Sequence, residues 1–328
     1  MQSKKRFLLG AIAAIGLLAG GQAANAQTTF TLGDIYAAEH SNTLADKRFA
    51  ELVAQRTNGA VKIEVYGDAN LGNEREIAES VVSGSVDIAP SGMSGIGRFF
   101  PELQVLELPY IYKDLDHMQR VAAAIAPDVE AAFEKQGVRN LGFLFLGPRS
   151  IASKKPIETI DDMKGLRLRV PESPLYIGFA KALGAVPTPI PLPEVYSAME
   201  TGVADAAEGE PATLSTTKWY ETTKSVSLTK HIWHFRFITI NKDKFDALPA
   251  EQQAVVRQAA ADAQKYQAGL VNDFNAKALE EMKAANVKIV ETKGLDKFAE
   301  RLAKFQDEYA ASLGDKAVKL LAKVRSVQ

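Results

Sequence analysis

No cysteine occurs anywhere in the 328 residues. That excludes disulfides, thiolate nucleophiles, cysteine-based metal sites and acylation of a lipobox. Histidine is nearly as scarce, with only His40, His117, His231 and His234. The pair His231 and His234 has metal-like spacing, but it sits in a β-rich run with no carboxylate pair to complete a zinc set, so no metal is expected. Blocks of like charge are missing too, and the formal net charge is −1. A mildly acidic surface without basic stretches offers nothing to nucleic acid. Gly92-Met93-Ser94-Gly95 falls short of a nucleophile elbow, and Gly95-Ile96-Gly97 lacks the third glycine of a dinucleotide loop. Neither catalysis nor a cofactor is expected.

Long apolar runs are absent after the first segment, which has the layout of a secretory signal peptide. Lys4, Lys5 and Arg6 lead into an apolar stretch from Phe7 to Gly20, and Ala24-Asn25-Ala26 forms a small-residue cleavage box. The stretch is shorter than the ~20 residues a membrane span needs. Cleavage after Ala26 leaves 328 − 26 = 302 residues, and losing three positive charges moves the net charge to −1 − 3 = −4. An exported, soluble chain of that length, stabilised by burial rather than disulfides, is expected to form two lobes.

Strands and helices alternate along the rest. Phe30 to Leu32 reads as a strand, and Phe49, Leu52 and Val53 mark a helix over 44–56. Val61 to Tyr66 alternates as a half-buried strand should. A helix runs from about Leu71 to Gly84, and Val86 to Ala89 is the next strand. Leu141 to Leu146, Leu166 to Val170, Val203 to Ala207 and Phe235 to Ile240 also read as strands, with a helix over 174–183. Together these predict an α/β protein rich in parallel sheet. Pro249 opens a helix that continues to about Asn286; its ~36 residues at about 1.5 Å each would span about 54 Å, more than one small lobe is wide.

From Asp161 the chain reads DDMKGLRLRVPESPLYIGFAKALGAVPTPIPLPEVYSAMETGVADAAEGEP. This resembles the central signature of the DctP-type solute-binding proteins of tripartite ATP-independent periplasmic (TRAP) transporters. FAELVAQRTNGAVKIEVYGDANLGNEREIAE, PELQVLELPYIYKDLDHM, and LTKH with the later LPAEQQAVV agree as well, so the likeness covers nearly all of the chain beyond Ala26. The resemblance implies two α/β lobes joined by crossing hinge strands, braced by a long helix, with ligand closed between them. Boundaries on that reading are 27–146 plus 237–275 for one lobe and 147–236 plus 276–328 for the other. It also implies a monomeric periplasmic protein that hands a small organic acid to ion-driven membrane permease subunits.

In that family an arginine of the segment matching GLRLRV holds the ligand carboxylate, a role that falls on Arg169. Alternation alone puts Arg167 and Arg169 on the same face and leaves them equivalent. A guanidinium suits the task because its planar fork grips a carboxylate with two bonds and stays charged. Arg149, after an apolar strand and a Gly-Pro turn, matches a second family arginine. Where relatives carry asparagine after the next strand, this chain has Gly209 and then Glu210. Near Leu192 it lacks the aromatic ring of sialate binders, so sialic acid is disfavoured, whereas C4-dicarboxylates, hydroxy or oxo acids and sugar acids stay open. Glu39, His40 and Asn42 follow the first strand, and Ser91 and Gly92 follow the third, at strand ends where open α/β sheets place ligands. An ABC-type binding protein is the rival with the same hinged shape; a periplasmic hydrolase is the weaker one.

Overall fold

A computed structural model describes residues 27–328; the signal-peptide reading falls on residues 1–26, outside the described part. Eleven strands form two sheets, one of five and one of six. They are β1 Thr28–Gly33, β2 Val61–Tyr66, β3 Ile88–Ser91, β4 Val138–Pro148, β5 Ser150–Ser153, β6 Arg167–Val170, β7 Val186–Pro189, β8 Ala206–Gly209, β9 Ser225–Ser227, β10 Trp233–Asn241 and β11 Lys288–Val290. The first sheet has the order β2-β1-β3-β10-β4 and the second β11-β9-β5-β8-β6-β7. In the first, β1 runs parallel to β2 and β3, and β10 is antiparallel to β3 and β4. In the second, β6 is parallel to β7 and β8, and β5 is antiparallel to β8 and β9.

The chain crosses between sheets twice in adjacent strands. One crossing is Arg149, between β4 and β5; the other is the stretch between β9 and β10. They are tied to each other, since Arg149 N–H donates to Ile232 O at 2.8 Å and His231 N–H donates to Arg149 O at 3.1 Å. The brace is the helix Ala250–Ala284, whose 35 residues reach about 52 Å. It packs on helix Ser41–Arg56 and β4 on one side, and on helix Pro211–Thr216 and β11 on the other. Gln267 anchors it midway: its amide donates to Phe145 O and to Asn42 Oδ1, and its oxygen accepts from Phe145 N. The last helix, Asp315–Ser326, packs back on 101–107 and on helix Leu115–Glu134, elements that lie against the first sheet.

Local chemistry fixes the elements that frame the cleft. Helix Glu74–Ser83 starts with a capping box between Asn73 and Glu76 and ends on Gly84, whose φ of 80° suits glycine. Helix Ser41–Arg56 is capped by His40, whose Nδ1 accepts from Asn42 N at 3.2 Å. Two strands lie later than their apolar runs suggest. The expected 86–89 is Ile88–Ser91, with Asp87 just before it accepting at its side chain from Thr31 N of β1, and the expected 203–207 is Ala206–Gly209, because Gly202 (φ 78°) and the exposed Val203 belong to the preceding turn. Among the described residues no helix is long and apolar enough to cross a membrane.

Candidate functional site

Between the two sheets lies a cavity of about 490 Å³, counting its open mouth. Ile35, Tyr36, Asn73, Glu74 and Ser94 border it from one side, and Arg169, Pro171, Glu172, Pro191 and Leu192 from the other. Arg149, from the first crossing, and His234, at the start of β10, border it as well.

Arg167 and Arg169, equivalent by alternation, have opposite surroundings. Arg167 begins β6, is exposed, and forks onto Asp205 at 2.7 and 2.8 Å. Arg169 lies two residues nearer the cleft and is 2% exposed. Its Nε and Nη2 donate to Ile190 O at 2.8 and 2.6 Å, and its guanidinium lies over the Trp219 ring, 5.3 Å from the centroid. Nη1 is buried without a hydrogen-bond partner, and among the described residues no carboxylate pairs with this arginine. Burial pushes the guanidinium down to about 10, with Glu208 pulling the other way. A buried cation with an unused donor is costly unless an anion meets it.

Arg149 is differently placed. Its Nη2 donates to Glu208 Oε1 at 2.7 Å and Glu208 O at 3.0 Å, its Nε donates to Glu208 Oε2, and its Nη1 donates to Glu210 Oε1 at 2.7 Å. Burial would raise the Glu208 carboxyl, but the charge of Arg149 and hydrogen bonds from His231 and Arg149 hold it at about 2. Glu210, also accepting from Thr213 Oγ1 at 2.9 Å, is held well below the ordinary carboxylate range, burial again being outweighed by Arg149 and His234. The charge of Arg149 is therefore balanced within the protein.

Of the sequence candidates, the structure brings Arg149 and Arg169 to the cavity wall; the others stand behind or beside it. Glu210 buttresses Arg149, and Gly209 packs under Trp219, where a Cβ would stand 3.4 Å from the ring. His40 stacks on Tyr36 at 4.1 Å, and burial lowers its pKa to about 4, so it is a neutral cap and wall support. Asn42 accepts from Gln267 Nε2 at Oδ1, while its Nδ2 is buried without a partner. Ser91 ends β3 with its hydroxyl buried and unpartnered. Glu39 is exposed and borders a separate surface pocket with Lys277 and Glu281.

Gly92 matters for what it omits. A Cβ there would stand 2.7 Å from His234 Nε2 and 3.2 Å from Glu107 Oε1. Its N–H donates to Glu74 Oε1 at 2.9 Å, which fixes that acid at the cavity edge. Gly92→Ala should cost about 1–3 kcal/mol by overpacking. Denaturant unfolding of the variant would check this; an unchanged midpoint would show that His234 yields freely.

Glu74, Glu172, Tyr36 and His234 were not legible as site residues, because what brings them to the cavity is tertiary. Glu74 is held by Arg236 Nε at 3.3 Å, Ser94 and Gly92; burial raises its pKa, but Arg236 and these hydrogen bonds bring it below the ordinary value. The one local signal is Arg236 itself, a lone charge in the apolar run from Phe235 to Ile240.

Residues 32–312 match the bacterial extracellular solute-binding proteins, family 7 (DctP). The 2,3-diketo-L-gulonate-binding periplasmic protein of Escherichia coli K12 is 31% identical over 289 residues, 88% of each chain. The C4-dicarboxylate-binding periplasmic protein of Rhodobacter capsulatus is 33% identical over 244 residues, 73% of this chain and 72% of that one. Among solved structures, a TRAP periplasmic solute-binding protein from Roseobacter denitrificans with bound β-D-glucuronate superposes with a TM-score of 0.86 at 29% identity, covering 92% of this chain and all of the other. The two-sheet fold, the crossing strands and the match over residues 32–312 together assign the chain to the DctP family of TRAP solute-binding proteins.

Proposed function

We propose that the protein is the periplasmic binding subunit of a TRAP transporter, that it captures a sugar acid by its carboxylate on Arg169, and that it delivers the ligand to the membrane permease subunits. The observation that carries this reading is the buried, unpaired guanidinium of Arg169 in a cavity between the two sheets. One buried guanidinium with Nη1 unused suits one carboxylate. The other charges on the wall favour hydroxyl groups over a second carboxylate: Glu74 and Glu172 are acceptors for O–H donors and repel anions, while Glu208 and Glu210 neutralise Arg149. Arg149 then contributes position rather than net charge. Leu192 in the wall leaves no ring for a sialate to stack on. Lobes 27–146 plus 237–275 and 147–236 plus 276–328 close by hinging at the crossing strands, with the last helix reaching back to the first lobe. Residues 1–26 direct export and are cleaved, and the protein acts as a monomer that binds without turnover.

A dicarboxylate reading has one observation behind it: Arg75 also borders the cavity, although it is half exposed and engaged by Glu79 at 3.0 Å. A thermal-shift panel of D-glucuronate, D-galactonate, succinate and N-acetylneuraminate separates the readings. Ligand at about 100 times its Kd stabilises by about 2.7 kcal/mol, so a sugar acid should raise Tm by several degrees while succinate and sialate leave it unchanged. A shift with succinate alone would overturn the sugar-acid assignment. Conversion of any of these compounds would overturn binding without turnover.

A further inference from the structure

His234 lies at the cavity wall, between two acids that come from different parts of the chain. Glu210 Oε1 lies 2.5 Å from its Nδ1, and Glu107 Oε1 lies 3.5 Å from its Nε2. Glu107 is already occupied, accepting from Met93 N at 3.0 Å and from the Tyr176 hydroxyl at 2.9 Å. Nε2 makes no hydrogen bond, although the ring is only 3% exposed. Gly92 backs onto the ring so closely that a Cβ there would stand 2.7 Å from Nε2, and His234 borders the cavity.

The proton count follows from the neighbours. Nδ1 has two neighbours: Arg149 Nη1 at 3.1 Å, which could only donate to a bare Nδ1, and the Glu210 carboxylate at 2.5 Å, which requires a proton on it. The shorter carboxylate contact decides for the protonated Nδ1. Nε2 can donate to a ligand oxygen only if it too carries one. A neutral imidazole serves one of these partners, and only the imidazolium serves both. We propose that His234 in its imidazolium form is a second ligand-binding cation of the cleft, donating from Nε2 to an oxygen of the bound acid. This rests on the carboxylic-acid reading above.

The groups around the ring support a charged form. Burial lowers its pKa, but Glu210 and Glu107 outweigh that and leave it above the ordinary histidine value; Arg149, with Nη1 3.1 Å from Nδ1, opposes them. Glu74, from the helix across the cavity, and His40, from the cap of helix Ser41–Arg56, also lie within reach of its charge. Since the protonated form binds, affinity is greatest below the pKa of the ligand-free protein and falls as pH rises through it. Binding in turn raises that pKa and takes up protons.

Calorimetric titration of the purified protein with D-glucuronate and D-galactonate between about pH 6 and 8.5 tests this, staying below the range in which Arg169 loses its proton. The wild-type Kd should weaken about tenfold or more across that range. His234→Gln should bind more weakly at the acid end and show a flat profile, whereas His231→Gln should keep the slope. A flat wild-type profile, or a slope retained in His234→Gln, would overturn the proposal while leaving the carboxylate reading intact. Should His234→Gln not fold, nitrogen NMR of the wild-type ring decides instead: ligand must raise the His234 pKa, and an unmoved titration counts against the proposal. If neither acid binds at any pH, the carboxylate reading falls and this proposal falls with it.

Discussion

Replacing Arg169 with methionine is expected to weaken sugar-acid binding by about 1.5–3 kcal/mol, roughly 10- to 150-fold, because a charged hydrogen-bond partner is removed from a dry site. The same change should leave the ligand-free protein nearly as stable as before. Two effects of opposite sign meet there. Ile190 O loses its donors, which for a part-buried carbonyl costs toward the lower end of about 1–3 kcal/mol, and the Trp219 contact weakens. Against that, a buried cation with an unused Nη1 is exchanged for an apolar side chain of similar length, which relieves a desolvation penalty of comparable size.

That pairing of outcomes separates a binding arginine from a structural one. A structural arginine would show its loss in the ligand-free melting temperature; a binding arginine shows it in the ligand-induced shift. Arg169→Lys sharpens the distinction. It keeps the charge but cannot hold Ile190 O and a carboxylate fork together, so its affinity should fall about tenfold or more despite the retained charge. Calorimetry and thermal denaturation of both variants provide the readouts. Wild-type affinity in Arg169→Met would remove the carboxylate from this site.

How far the sequence reaches depends on the range over which each interaction acts. Strand β2 is legible because Val61, Ile63 and Val65 alternate with polar residues, and β10 because its run is almost wholly apolar. Strands β5, β7, β9 and β11, of three or four residues each, are too short to show a period. Helix Leu115–Glu134 is broken in pattern by Pro127, and no element is read there from sequence. The site divides in the same way. Periodicity holds Arg167 and Arg169 together, and what parts them is tertiary: Asp205 on the exposed edge takes one, and the cleft beside Ile190 takes the other. Arg149 is findable as a position, but not its neutralisation, because Glu208 lies 59 residues on. His234 reads as a strand residue until Glu107 and Glu210 are seen on either side of it.

Arg236 gives the opposite result to Arg169, and a larger one. It is 1% exposed, donates to Asp34 Oδ1 at 2.6 Å and to Pro90 O at 2.5 Å, approaches Glu74, and lies over Tyr36 at 4.9 Å. Next to Asp34 is Asp46, whose carboxyl is pushed well up by burial first and by Asp34 second. Arg236→Met would leave Asp34 and Glu74 without their cation in a core that already holds Asp46. Breaking one side of a buried ion pair costs about 3–5 kcal/mol. At about 2–4 °C per kcal/mol for a large domain, Tm should fall by roughly 6–20 °C.

The pH dependence fixes the cause. Without Arg236, burial is left to push the Glu74 carboxyl above its unfolded value, so the folded form binds more protons and gains stability as pH falls toward the carboxylate range. The deficit relative to wild type should therefore be largest near neutral pH and shrink toward about pH 5. Adding Asp34→Leu and Glu74→Gln should recover part of the loss, because the orphaned charges go with the cation. Denaturant unfolding at two pH values reads all three expectations. A deficit that stays constant with pH would trace the loss to packing against Tyr36 rather than to charge.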